Sequence, residues 1–402
     1  MSYKLTSLRL LLFVLVIGST IAGCSNCSAP EPGESYRTLA DFQAISEENR
    51  NHHQDDYLVG NCTTSKSSLL LIGVDSLTIE EAEELAGFRG DSLCFSDVIE
   101  LSPDIASALA SWRGNSLNLD GLETLDEETA AELAEWEGFY LYLDGLRQLD
   151  VATAAQLARW GVGYGYRLTL AGLVSLEADS ARELASWPGV ALHVGSSDGL
   201  KPASASALAE WDGKHLWLVN ITSISVDTAS TLASWRSQHA AFLGFNHLET
   251  LDVDTAAAFA NGDFHEHYRF GGLKTLSDEA AIQLAEWDGH GLSFPDLKSI
   301  ELDTAKALSN WKGSVLGFQG FTSLSPEVAS ELANWRGWSL TLGNLKELDS
   351  ETAEILATWE GELTFWGVTQ FDDDVARAFA DFRGQRLILP PTLRERVNEF
   401  RD

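Results

Sequence analysis

A segment of about 24 residues recurs 13 times between residues 69 and 389, and a chain written this way folds as an array rather than around a single core. Three copies show the pattern: LNLDGLETLDEETAAELAEWEG (Leu117 to Gly138), LYLDGLRQLDVATAAQLARWG (Leu141 to Gly161) and LTLGNLKELDSETAEILATWEG (Leu340 to Gly361). The opening L-x-L alternates with period two, which predicts a short strand with both leucines on one side. In the second half Ala130, Leu133, Ala134 and Trp136 stand at offsets 0, 3, 4 and 6, one face of a helix. An aromatic closes nearly every copy, at Phe88, Trp112, Trp136, Trp160, Trp187, Trp211, Trp235, Trp287, Trp311, Trp335, Trp359 and Phe382, and Gly262 holds that place in the remaining one. Of the 13 tryptophans, only Trp217, Trp338 and Trp366 fall outside this register.

The helix boundaries are also written in the repeat. Ser, Thr or Asp stands ten residues before the aromatic in 10 of 13 copies, from Thr78 to Asp372, where its side chain can accept from first-turn amides. Pro103, Pro202 and Pro326 stand at the first helical position of their copies, where a missing N–H costs nothing. Gly follows the aromatic by two residues in 10 copies, as at Gly90, Gly114 and Gly138, and is expected to supply a left-handed helix stop.

No single copy can bury its leucine face, so neighbours must stack. The expected fold is α/β: a right-handed curved solenoid of 13 strand-helix repeats, with a parallel sheet on the concave face and helices on the convex face. Curvature follows because strands need about 4.8 Å each and packed helices about 8–10 Å. Leu387 to Leu389 adds a fourteenth strand, stopped by Pro390 and Pro391, and residues 390–402 form a C-terminal cap with Leu393, Val397 and Phe400 at helical spacing. At the other end Leu39, Phe42 and Ile45 mark a short helix in an N-terminal cap over residues 37–68.

Over residues 69–389 the motif resembles the leucine-rich-repeat superfamily, specifically a leucine-rich-repeat-like variant of bacterial surface proteins. The usual motif carries Asn three residues after the second strand leucine, and here that place holds Leu122, Leu146, Leu173 or Leu345. The resemblance implies an architecture rather than an activity.

Residues 1–23 read as a signal peptide: Lys4 and Arg9, an apolar run from Leu10 to Ile17, then small residues. Ile21-Ala22-Gly23-Cys24 resembles the lipobox of bacterial lipoproteins, which implies cleavage before Cys24, a thioether-linked diacylglycerol on Cys24 and a further acyl chain such as palmitate on its amine. Several chains, at about 0.8 kcal/mol per buried methylene, anchor durably. Ser25 fits outer-membrane sorting, and residues 24–36 read as a lipidated tether. Export permits disulfides, and Cys27, Cys62 and Cys94 allow one bridge and one spare thiol without indicating which.

With 60 acidic and 27 basic side chains the formal charge is −33, which excludes a sequence-independent nucleic-acid binder and disfavours electrostatic adhesion to an anionic bilayer. Part of the charge is architectural. The second helical position is acidic in 11 of 13 copies, from Glu80 to Asp374, where the helix N-terminus stabilises a carboxylate by about 0.3–1 kcal/mol.

Catalytic signatures are weak. GVGYG at Gly161 to Gly165 follows a helix and precedes a strand, the reverse of a dinucleotide-binding turn. His265-Glu266-His267 lacks the helical spacing of a zinc site, and Asp252-x-Asp254 and Asp372-Asp373-Asp374 fall on the helix-start register, so they read as caps rather than calcium ligands. No catalytic residue, metal site or cofactor is expected. Three links are lengthened, Gly161 to Arg167, Arg236 to Phe242 and Asp263 to His267, and they carry Tyr164, Tyr166, His239, Phe264, His265 and His267. The central residues of the strands form a concave row that includes Tyr142, His193, Trp217 and Arg269, with Tyr140 and His215 on the same strands.

The candidate binding patch is therefore Tyr140, Tyr142, Tyr164, Tyr166, His193, His215, Trp217 and Arg269. The expected function is non-enzymatic binding or scaffolding at the bacterial cell envelope, by a monomer held through lipid on Cys24 at the membrane, with the outer membrane as the expected one. Its partner would be a protein or glycan. The alternatives are an envelope hydrolase using a His-rich rim at His265 and His267, or a passive spacer.

Overall fold

The strand leucines lie where period-two alternation puts them, on the buried side of each strand that faces its helix. The computed structural model describes residues 38–52, 58–59, 62–63, 67–161, 166–236 and 241–401, with side chains for 38–47 and from 67 onward within those ranges. The signal peptide, Cys24 and the tether, Cys27, Tyr164 and His239 lie outside the described residues, as does the Cys62 side chain.

Fourteen strands, from Ser68–Leu70 to Arg386–Ile388, form one sheet in strict chain order, every neighbouring pair parallel. Thirteen helices, from Ile79–Ala86 to Asp373–Ala380, link them, and one helix closes each end. Strand leucines align in rows, as in Leu141, Leu168, Leu192 and Leu216, all fully buried.

All ten expected cap residues accept a first-turn amide bond, and Thr78 completes a capping box with Glu81. Asp252 and Asp372 are among them, so both carboxylates serve as caps. The three helices without such a residue start at Glu177, Lys201 and Glu301 and make no side-chain cap bond. The second-position carboxylates, Glu80 through Asp374, are in the first helical turn, exposed along the helix-start rim.

The glycine two residues after the aromatic has a different role from the one its position suggests. None of the ten has positive φ, and the helices end in right-handed geometry before the aromatic. A Cβ on Gly114 would lie 1.8 Å from Cζ2 of Trp112, and one on Gly213 would lie 2.0 Å from Cζ2 of Trp211. Glycine stands there because the indole folds back over it. Gly161, in a copy where Val162 takes that place, does have positive φ, +70°.

The indoles stack face to face along the array, with ring centres 5.8–6.1 Å apart from Trp112 to Trp235 and again from Trp287 to Trp359. Each donates its Nε1–H to the main-chain carbonyl of the residue closing the preceding copy. Trp211 reaches Trp187 at 2.9 Å, and Trp335 reaches Trp311 at 2.9 Å. A second ladder runs at the helix starts, where Thr129, Thr153, Ser180, Ser204, Thr228 and Thr304 donate hydroxyl protons to the carbonyl of a leucine in the preceding copy. Leu122, Leu146, Leu173 and Leu345, at the place Asn holds in the usual motif, are fully buried in the core. Because the indole row advances by more than the roughly 4.8 Å of a strand pair, repeats splay toward the helices and the strand face is the inner one.

At the copy closed by Gly262 the ring is restored from elsewhere. Phe264 stacks on Trp235 at 5.5 Å and accepts the Trp287 indole proton on its carbonyl. Tyr268, occupying a strand-leucine position, fills the remaining volume against Trp287 at 4.5 Å and Phe264 at 4.9 Å. Phe264 is thus core, 2% exposed, and not part of a loop surface.

Both ends are closed. The helix Leu39–His52 packs against the strand Ser68–Leu70, buries Phe42, and its Ser46 hydroxyl accepts the Leu70 amide proton. Cys94 is disulfide-bonded, and beside it Leu70 and Ile72 make a small apolar cluster on the strand face. At the far end the helix Pro391–Asn398 buries Leu393 and Val397, and Phe400 lies between the guanidinium groups of Arg377 and Arg396.

Candidate strand-face binding site

Two residues of each strand, its first and its third, face away from the helices. The third-position row runs Tyr142, Thr169, His193, Trp217, Gly244, Arg269 in strict cross-strand register. The first-position row beside it runs Tyr140, Arg167, Ala191, His215, Phe242, His267. Sequence spacing selected the third position and assigned Arg167, Phe242 and His267 to the ends of lengthened links. In the structure each opens a strand, Arg167–Leu170, Phe242–Phe245 and His267–Phe270. All three irregular copies therefore deliver a large side chain to the same surface.

The rings touch. His193 and Trp217 are 5.8 Å apart, Trp217 and Phe242 5.1 Å, His215 and Phe242 6.3 Å, and Phe242 and His267 stack at 6.0 Å. Glycine makes the surface flat. A Cβ on Gly244 would come 2.4 Å from Cε3 of Trp217, and one on Gly291 would come 1.9 Å from Nδ1 of His267. Both rings lie down on the backbone of the next strand. Guanidinium groups frame them, with Arg269 5.8 Å from the Trp217 ring centre and Arg167 5.7 Å from that of Tyr140.

Burial shapes the electrostatics. Desolvation, with Arg167 and His215 nearby, lowers the His193 pKa to about 4, so its imidazole is neutral at pH 7. Burial likewise lowers His215 and His267, and it raises the Tyr142 phenol against the opposing pull of Arg167. Four buried side-chain atoms among the described residues make no hydrogen bond, and three of them are here: Nε of Arg167, Oγ1 of Thr169 and Nε2 of His193. Such an unmet group costs about 1–3 kcal/mol, which concentrates polar frustration beneath an aromatic surface.

Other expected site residues separate from this cluster. Tyr166 packs edge-on against Trp160 at 5.5 Å and beside Phe139 at 5.4 Å, closing the indole row at the helix-to-strand rim. His265 and His267 do not form a shared rim site. Nδ1 of His265 is 2.6 Å from Asp288 in the next link, while His267 turns onto the strand face. A separate recess of about 680 Å³ lies among strand-to-helix loops and is lined by Glu123, Arg147, Asp150 and Glu177. No helix among the described residues is long and apolar enough to cross a membrane.

Parallel strands in chain order, each backed by its own helix and joined by side-chain-to-carbonyl ladders, settle the architecture. It is a leucine-rich-repeat-like solenoid. No protein-family model matches the chain, and no curated protein does. Among solved structures, this solenoid is similar to a glycosylated form of the Toll–Spatzle complex of Drosophila, with a TM-score of 0.44 and 13% identity over 78% of this chain and 41% of that one. It is similar also to a TLR13–ssRNA13 complex, with a TM-score of 0.39 and 14% identity over 81% of this chain and 49% of that one. The chain spans less than half the length of these proteins.

Proposed function

We propose that this solenoid is a non-enzymatic binding protein of the bacterial cell envelope, tethered through lipid on Cys24, whose strand face takes up a protein or glycan. The observation that carries the reading is the joined aromatic and cationic surface around Trp217, on which six adjacent strands converge. Aromatic side chains offer large contact area at small conformational cost. The carboxylates along the helix-start rim discourage attachment of that rim to anionic surfaces.

Cross-linking in intact cells followed by mass spectrometry tests it. A recurrent partner recovered with the native chain and lost with the Tyr142→Ala, His193→Ala, Trp217→Ala triple variant supports the reading, and an unchanged partner profile refutes it. The anchor is tested separately: Cys24→Ser is expected to abolish incorporation of labelled palmitate and release the exported chain from membranes.

A further inference from the structure

We infer that the partner of the strand face is a protein, docking through an acidic segment whose carboxylates meet Arg167 and Arg269 and whose apolar side chains lie on the rings between them. The inference rests on the strand face being the binding surface.

Charge is segregated on this molecule. The chain carries 60 carboxylates, yet no strand of the sheet from Ser68–Leu70 to Ser339–Leu342 contains Asp or Glu. Asp120 and Asp144, which directly follow two of these strands, accept the main-chain amide protons of Asp144 and Ala171. Arginines elsewhere are paired, Arg113 with Glu137, Arg236 with Asp263 and Arg386 with Glu362. Arg167 and Arg269 form no ion pair among the described residues. They lie over the rings of Tyr140 and Trp217 instead, and ring contact leaves the N–H edge of a guanidinium able to take a carboxylate. The Tyr142 phenol, hydrogen-bonded to Arg167, uses only part of that five-donor fork. Asp296, the carboxylate that acts on Arg269, is itself held by the Gly272 amide and Lys274.

Spacing and hydrogen-bond chemistry argue for a polypeptide. The two cations stand four strands apart. At the spacing of paired strands that is about 19 Å, too far for one sugar ring and within reach of about six extended residues. His215, Trp217 and Phe242 stand on the strands between them. The strands from Arg167–Leu170 to His267–Phe270 contain no Asp, Glu, Asn or Gln, so the many hydroxyl protons of an oligosaccharide would find few acceptors. Carboxylates only accept, which suits a face whose charged groups only donate.

The test immobilises the full-length chain in detergent and selects from a phage-displayed library of random dodecapeptides. The recovered pool is expected to hold Asp and Glu at twice their input frequency or more, together with aromatic or aliphatic residues. Resynthesised with Asn and Gln in place of its acids, the leading peptide should bind at least tenfold more weakly by calorimetry. Combining Arg167→Gln with Arg269→Gln should bring that ratio to within twofold while keeping the weak affinity for the neutral peptide, which shows that the face is still folded. Lysine at both positions should retain part of the preference, and Arg113→Gln, on the rim, should leave it unchanged. A pool without acidic enrichment, or a neutral peptide that binds as tightly as its acidic parent, overturns the acidic segment. A library that yields no binder overturns the protein partner, and a glycan then recovered by cross-linking and lost in the triple variant shows that the binding face itself stands.

Discussion

Trp217 lies over Gly244 so closely that the smallest side chain would meet it: a Cβ there would stand 2.4 Å from Cε3 of the indole. Gly244→Val is expected to lift the ring from the sheet and weaken ligand binding at least tenfold. Valine suits a strand, so stability should change by less than about 1 kcal/mol. Binding titrations paired with urea denaturation check this. Gly317→Ala, on the same row beside the flexible Gln319 side chain, is the control expected to change neither.

Trp211→Phe keeps a ring in the row but removes the Nε1–H bond to the Trp187 carbonyl. With that carbonyl unmet and a smaller ring in place, the expected loss is about 2–4 kcal/mol in urea denaturation, and Trp211→Ala should cost at least as much. A loss below about 1 kcal/mol for phenylalanine would mean that stacking alone holds the row.

Gly213→Ala is expected to cost about 1–3 kcal/mol, because the new Cβ would meet Trp211 at 2.0 Å. Gly213→Asn distinguishes this cause from backbone geometry. Asparagine tolerates left-handed φ, so it would rescue a left-handed stop but not a crowded indole.

Phe264 and Tyr268 share the volume of one missing indole, at 4.9 Å from each other. Phe264→Ala and Tyr268→Leu should each destabilise by about 2–4 kcal/mol, and their double-mutant cycle should show a coupling of at least about 0.5 kcal/mol. Strict additivity would refute the shared-volume account.

The His193 pKa of about 4, against an ordinary 6.5, makes the fold favour the neutral ring. Above pH 6.5 both folded and unfolded chains hold it neutral and the full stability is present. As pH falls from 6.5 to 4, the unfolded chain binds a proton that the folded chain refuses, and stability drops by about 3 kcal/mol in total. His193→Gln should remove that component, read as a shallower fall of the urea midpoint over this window than in the native chain. Equal slopes would show that His193 is not held neutral by burial.

Periodicity made most of the architecture readable in advance. Strand, cap and indole positions repeat 13 times, so ten caps were placed to the residue. What spacing could not show was compensation across the chain. Gly262 occupies the aromatic register by counting, yet Phe264 two residues later carries the ring, because packing selects a position in space and a lengthened link lets the chain reach it. For the same reason Arg167, Phe242 and His267 looked like loop ends. A strand starts where main-chain pairing starts, and pairing with Tyr140, His215 and Phe242 claimed them. The signal available was their size and polarity at the position held by Ser68, Ser92 and Ser116 in regular copies. The glycine role was misread because a small residue after a helix has two explanations, and the ring folding back over it is visible only in three dimensions.

The indole ladder has one more consequence, for how such a chain can grow. Each unit brings both halves of its joint, an N–H directed backward and a carbonyl offered forward, and needs no matching change in any other unit. A tandem duplication of 24 codons placed between two regular copies leaves no joint open, and a deletion of the same length closes cleanly. Nothing inside the array records how many units there are. The two end helices close whatever number stands between them, so the array can lengthen or shorten away from Trp217 while the surface around that ring stays as it is.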